Sequence, residues 1–154
     1  MRLRLKVNGE VHELELEDNA LLLDVLRDTL GLTGAKRSCD VQVCGSCTVL
    51  VDGSPVSSCC YLAQDAHGGE VLTIEGFATE PLFDRLASVL SRNNAFQCGF
   101  CAPGFLMAVK PLLEEGRLQT REDVHRELSG NLCRCTGYRA ILDSVAEVAG
   151  VEQP

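Results

Sequence analysis

The sequence predicts an α+β chain in which a small mixed sheet is followed by a four-helix bundle. Three observations carry this expectation. Apolar and polar residues alternate with a period of two near the start, apolar residues recur at helical spacing through the second half, and the strand signals stop near Gly76.

The elements follow in order. Leu3 to Val7 and Val11 to Leu16 read as two strands, each with one buried face, and Asn8-Gly9 between them suits the positive φ of a tight hairpin. Asp18 or Asn19 can cap a helix carrying Leu22, Leu23, Leu26 and Leu30, which Gly31 or Gly34 would end. A cysteine-rich loop runs from Lys36 to Cys47. Strand Thr48 to Val51, the turn Asp52-Gly53, a short strand through Val56 and a last strand Val71 to Ile74 complete the sheet. From Pro81, Leu82, Phe83, Leu86, Val89 and Leu90 trace one helical face. Phe105, Leu106, Val109, Leu112 and Leu113 trace a second, with Pro103 suited to a first turn and Pro111 expected to kink or shorten the helix. Thr120 and Asp123 have capping-box spacing before Val124 and Leu128, and Tyr138, Ile141, Leu142, Val145 and Val148 mark a fourth helix. The expected units are 1–76 and 77–154.

The chain has 154 residues, enough for two small units, each with little apolar core of its own. Aromatic residues are only 5% and Trp is absent, so the cores must be built from Leu, Val, Ala and Ile. A formal charge of -8 argues against nucleic acid, whose phosphates require clustered Lys and Arg. No apolar run approaches the roughly 18 to 20 residues of a membrane span, and the start reads as a strand rather than a leader. A cytoplasmic protein is expected. There, nine cysteines point to metal binding ahead of disulfides.

Cys39, Cys44 and Cys47 form C-x4-C-x2-C, and Cys59 follows beyond the Asp52-Gly53 turn. This is the plant-type spacing for a 2Fe-2S cluster. Three thiolates must converge from one loop whose amides point inward at anionic sulfur, and Gly45 and Ser46 permit the close wrapping. Tetrahedral zinc is the alternative, although zinc knuckles generally pair two short hooks. Cys60 could replace Cys59 as ligand. On an extended strand adjacent side chains face opposite ways, so Cys59 is taken as the ligand and Cys60 as a buried apolar residue.

Cys98 and Cys101 form C-x2-C before the second bundle helix, and Cys133 and Cys135 form C-x-C before the fourth. Two helix N-termini would thus face four thiolates, favouring their ionised form. Gly99, Gly104 and Gly137 supply backbone freedom there. Spacing alone leaves an iron-sulfur cluster, zinc and a redox-active dithiol open at this site.

The strings CGSCTVLVDG, QCGFCAPG and NLCRCTGY, in this order, resemble the iron-sulfur subunit of the molybdenum hydroxylases, the family of xanthine dehydrogenase, aldehyde oxidase and carbon monoxide dehydrogenase. The similarity runs from Leu3 to about Val148. It implies a β-grasp, plant-type ferredoxin-like unit followed by a helical unit with a second 2Fe-2S cluster. It further implies that electrons left on a molybdenum-pterin centre by substrate hydroxylation pass one at a time through the bundle cluster, then the plant-type cluster, to FAD. A chain of this length has no room for flavin or molybdenum domains. The resemblance therefore implies a large molybdenum-pterin subunit and a medium FAD subunit, assembled as a dimer of heterotrimers. Gln97 is similar to the family glutamine that contacts the pterin, and Cys135 to the ligand nearest its edge. Many members have glycine where Ser38 and Gln42 stand, so the first loop is expected to bend differently. No residue resembles a substrate-binding or acid-base group. Arg134 is expected to offset cluster charge or meet a partner, Tyr138 to be core, and His12, His67 and His125 lie outside every motif.

Overall fold

The structure is a computed structural model that describes residues 1–151; the last three residues of the second expected unit, 152–154, lie outside the described residues. Strands β1 (Arg2–Val7) and β2 (Glu10–Glu15) form the expected hairpin. Asn8 and Gly9 at its tip both take positive φ, 50° and 88°, which matches the twist of paired strands. Alternation works as read: Leu3, Leu5 and Val7 are buried while Arg2, Arg4 and Lys6 face outward.

The helix that follows is short. Helix α1 (Leu22–Asp24) passes into a π-helical stretch, Val25–Thr29, closed by the Leu30 N–H on the Val25 carbonyl at 3.0 Å. The wider turn leaves Val25 buried beside Leu26, and the chain leaves the helix at Gly31 with φ 71°.

Strands β3 (Thr48–Val51), β4 (Ser54–Ser57) and β5 (Glu70–Leu72) complete a five-stranded sheet of order β2-β1-β5-β3-β4. The β1–β5 pair at its centre is parallel and the others are antiparallel. Ile74, expected at the end of the last strand, instead opens a helical turn, α2 (Ile74–Phe77). The cause lies far away in sequence: the Asn8 side chain accepts the Thr73 N–H at 2.9 Å, withdrawing it from the ladder, and the Thr73 carbonyl then accepts from Phe77.

Four helices follow, α3 (Pro81–Arg92), α4 (Ala102–Glu114), α5 (Arg121–Glu127) and α6 (Arg139–Ala149). Thr120 and Asp123 form the expected capping box on α5. Pro111 does not end α4: it has no N–H for the Met107 carbonyl, yet the helix continues to Glu114 and closes with the Glu115 N–H on the Pro111 carbonyl at 2.9 Å.

Two hydrophobic cores result. One gathers Leu3, Leu5, Leu22, Leu26, Val49 and Val71; the other gathers Phe77, Leu86, Phe105, Met107, Ile141 and Val145. Strand β3 serves both, because α4 packs across it: Val49 and Val51 join the first core while Leu50 between them joins the second. Lys110 fastens the bundle from within. Buried on α4, it pairs with Glu80 at 2.6 Å and with Glu114, and its ammonium stands 5.0 Å from the centre of the Phe77 ring.

Candidate metal centres

The first cysteine loop is closed at its neck by the Lys36 N–H on the Ser46 carbonyl at 3.0 Å. Within it Asp40, Gln42 and Gly45 take positive φ of 52°, 59° and 69°. These reversals turn amides inward, and the Val43 and Cys44 N–H groups both donate to the Cys39 sulfur at 3.4 Å. Backbone amides, that of Val41 foremost and then Val43 and Cys44, lower the Cys39 thiol to about 6, because an N–H dipole favours the thiolate. Cys47 lies deeper, in contact with Cys59 and near Cys44, and burial pushes its thiol up to about 12. A cation at the site would reverse that penalty, since a metal deprotonates the thiol it binds.

Cys59 is buried, but on a 3-10 turn (Ser58–Cys60) rather than on the strand expected from the sequence. The Ser58 N–H and hydroxyl both bind the Cys47 carbonyl, at 3.4 and 2.6 Å, fixing this turn against Cys47. The turn also corrects the reading of Cys60, which is exposed, not buried. On a 3-10 turn adjacent side chains need not face opposite ways, and the two sulfurs are 3.7 Å apart. Gln42 holds the left-handed conformation a glycine would supply, while Ser38 is absent from the positive-φ positions.

At the second site the Cys98 and Cys135 sulfurs lie 3.3 Å apart, both exposed, and Cys101 and Cys133 meet behind them, both buried. Cys101 caps the N-terminus of α4. Burial pushes its thiol up to about 12, with Cys133 beside it adding to the shift. Burial also raises Cys133, but the Thr136 hydroxyl, donating to its sulfur at 3.1 Å, and nearby amides outweigh it, so the net shift is downward. The Cys133 N–H donates to the Tyr138 hydroxyl at 3.1 Å. The freedom expected of Gly137 is carried by Tyr138 instead, whose φ is 65°.

The two sites touch through the backbone. The Leu132 N–H, one residue before Cys133, donates to the Cys44 carbonyl at 2.9 Å, and the Asn131 side-chain amide donates to the Gly45 carbonyl at 3.2 Å. Gly104 makes this possible by its size: a Cβ there would lie 2.1 Å from the Gly45 oxygen. Its role is close approach, whereas Gly99 has the positive φ, 75°. Asn131 and Thr136 receive no role from the sequence, and Tyr138, expected as core, also holds the Cys133 amide. All three lie within NLCRCTGY, which is the available signal.

All nine cysteines are free thiols. At the second site they meet in two pairs, Cys98 with Cys135 and Cys101 with Cys133. That arrangement fits a 2Fe-2S rhomb, whose four thiolates are shared between two irons. Gln97 and Cys135 line one cleft together with Asn93 and Asn94. Phe100, Leu132 and Arg134 are exposed beside the second site, as Val41 and Val43 are beside the first. The histidines stay apart: His67 accepts the Arg4 N–H at 3.3 Å, His12 is on β2, and His125 lines a separate cavity with Arg121.

Sheet unit and bundle together define an iron-sulfur protein of the two-site kind. Residues 5–73 match a 2Fe-2S iron-sulfur cluster binding domain, and residues 73–146 match a second 2Fe-2S binding domain. The chain is 43% identical to the 6-hydroxypseudooxynicotine dehydrogenase complex subunit beta of Paenarthrobacter nicotinovorans, covering 95% of this chain and 92% of that one. It is 41% identical to the xanthine dehydrogenase iron-sulfur-binding subunit of Escherichia coli O157:H7, over 92% and 89%. Quinoline 2-oxidoreductase from Pseudomonas putida 86 contains a chain that superposes with a TM-score of 0.90 at 41% identity, over 97% and 94%. The chain belongs to the iron-sulfur subunits of the molybdenum hydroxylase family. It is the non-catalytic iron-sulfur part of a multi-subunit oxidoreductase, with two 2Fe-2S binding domains and no described helix long and apolar enough to cross a membrane.

Proposed function

We propose that the chain relays single electrons from a molybdenum-pterin centre on a large partner subunit to FAD on a medium one while a substrate is hydroxylated. In this reading Cys39, Cys44, Cys47 and Cys59 hold the plant-type cluster, and Cys98, Cys101, Cys133 and Cys135 hold the bundle cluster. When bound, each cluster supplies a site that accepts and returns one electron. The observation that carries the reading is the 2.9 Å bond from the Leu132 N–H to the Cys44 carbonyl. It couples the backbone next to Cys133 in one site to Cys44 in the other, so the two thiol sets are fixed at one distance.

The residues divide the work. Cys135 is exposed and lines a cleft with Gln97, with the exposed Cys98 sulfur 3.3 Å from its own, which suits a pterin-facing side on which Gln97 contacts the pterin. The buried Cys101, Cys133, Cys44 and Cys47 lie inward, where low water content reduces the solvent reorganisation that accompanies a charge change. The exposed Val41 and Val43 mark the opposite, flavin-facing side. We further infer a dimer of heterotrimers in the cytoplasm, where thiols stay reduced before cluster insertion, and a division into units 1–76 and 77–154, supported by the two hydrophobic cores.

The test is cluster analysis of the isolated complex. About four irons per chain and two distinguishable reduced-cluster signals in electron paramagnetic resonance are expected. Cys135→Ser should lower iron to about two per chain and remove one signal, leaving the other reducible. Zinc in place of iron, or a chain that elutes without flavin and molybdenum subunits at every salt concentration, would count against the proposal.

A further inference from the structure

We propose that Cys60 is a reserve ligand of the first site, able to take the coordination position of Cys59. The inference rests on the reading of Cys39, Cys44, Cys47 and Cys59 as the ligands of a 2Fe-2S cluster. Five thiols, one more than a cluster binds, stand at this site.

The geometry of the extra thiol is specific. Two sulfurs each roughly 2.3 Å from one tetrahedral metal stand about 3.8 Å apart, and the Cys59 and Cys60 sulfurs are 3.7 Å apart. The Cys60 sulfur is therefore about one ligand spacing from the position it would take when Cys59 is absent. It also faces the correct loop: its S–H points to the Asp40 carbonyl at 3.5 Å, one residue after Cys39. The turn that carries both cysteines is held against Cys47 by two bonds from Ser58. A side-chain rotation of Cys60, with a small shift of this turn, brings its sulfur to the site.

What separates the two thiols is solvent. Cys59 is 3% exposed, whereas Cys60 lies at the surface. Burial makes Cys59 the resident ligand, because it excludes water from the metal–sulfur bond; exposure leaves the Cys60 side chain room to rotate toward the site. The exchange involves no electron transfer. The Cys60 S–H proton goes to water, one iron–sulfur bond to Cys60 forms, and the bond that Cys59 would have made is absent.

The experiment uses the full chain, reconstituted anaerobically with ferrous iron and sulfide, as wild type, Cys59→Ala, Cys60→Ala and the double variant. Iron and sulfide per chain and the reduced-cluster resonance signals are measured. Wild type and Cys60→Ala are expected to hold about four irons, Cys59→Ala to hold about four with the first-cluster signal shifted, and the double variant about two. Cys59→Ala falling to the level of the double variant would overturn the proposal. So would loss of both signals in Cys59→Ala, because a thiol able to replace Cys59 keeps the site closed. Loss of the first cluster in Cys60→Ala would likewise overturn it, by making Cys60 the resident ligand. A wild-type chain that takes up no iron would instead sink the ligand assignment on which the inference rests.

Discussion

At the scale of single residues, the first loop is held by angles that side chains resist. Gln42 has φ 59°, a region costing an L residue roughly 1–2 kcal/mol that glycine escapes. Part of that gain is offset by the greater freedom glycine gives the unfolded chain. Gln42→Gly is therefore expected to stabilise the loaded protein by about 0.5–1 kcal/mol in thermal denaturation. A loss of stability would mean that the glutamine side chain itself braces the loop. Tyr138 has the same backbone habit, φ 65°, and a definite task, since its hydroxyl accepts the Cys133 N–H. Tyr138→Phe leaves that amide unpaired, at a cost of about 1–2 kcal/mol. The second reduced-cluster signal should change and the first should not. Neither angle was readable from sequence, because glycine advertises a left-handed position and glutamine or tyrosine does not. That the cysteines gather at two places was legible from their spacing, which still left the chemistry of the second place open. Cys60 was misjudged because a strand was assumed where the chain makes a 3-10 turn.

At the scale of elements, the contact between the start of α4 and the first loop governs the geometry of both sites. A Cβ on Gly104 would meet the Gly45 oxygen at 2.1 Å, a backbone atom that cannot rotate away. Gly104→Ala should force the two apart and cost roughly 3 kcal/mol or more. The control is Gly137→Ala, where no atom lies within 4 Å and φ is ordinary; its unfolding free energy should stay within about 0.5 kcal/mol of wild type. Elements stabilised locally were legible: the Asn8-Gly9 hairpin and the Thr120–Asp123 capping box carry their instructions within a few residues. Elements set by distant partners were not. The end of β5 depends on Asn8, and α4 runs past Pro111 because its buried face is already packed.

At the scale of the whole molecule, Lys110 joins α4 to the chain just before α3. Burial pushes its ammonium toward neutrality, but Glu114 and Glu80 more than offset this, and its pKa is raised above 10.5. A group raised on folding contributes stability that is complete below the unfolded value and lost as pH rises through the folded one. Melting points should therefore decline more steeply above about pH 10.5 in wild type than in Lys110→Met, which keeps the stem over Phe77 and lacks the charge. Parallel declines would assign the alkaline loss to other groups. The overall division into sheet and bundle was legible because hydrophobic periodicity changes once along the chain. The seam between the halves left one trace, the unbroken apolar run Val49, Leu50 and Val51 that marks a strand covered on both faces, but not which element covers the second face.

The parallel pairing at the centre of the sheet bears on how the protein is made. Lys6 finds its partner at Glu70, so the whole first cysteine loop is enclosed between two strands that must meet late. Closure over so long a span is slow, and the Leu132 amide that seals Cys44 is synthesised later still. The order of synthesis thus leaves the first thiol set open to an iron-sulfur donor until the last third of the chain has emerged, and closes it once the bundle has docked.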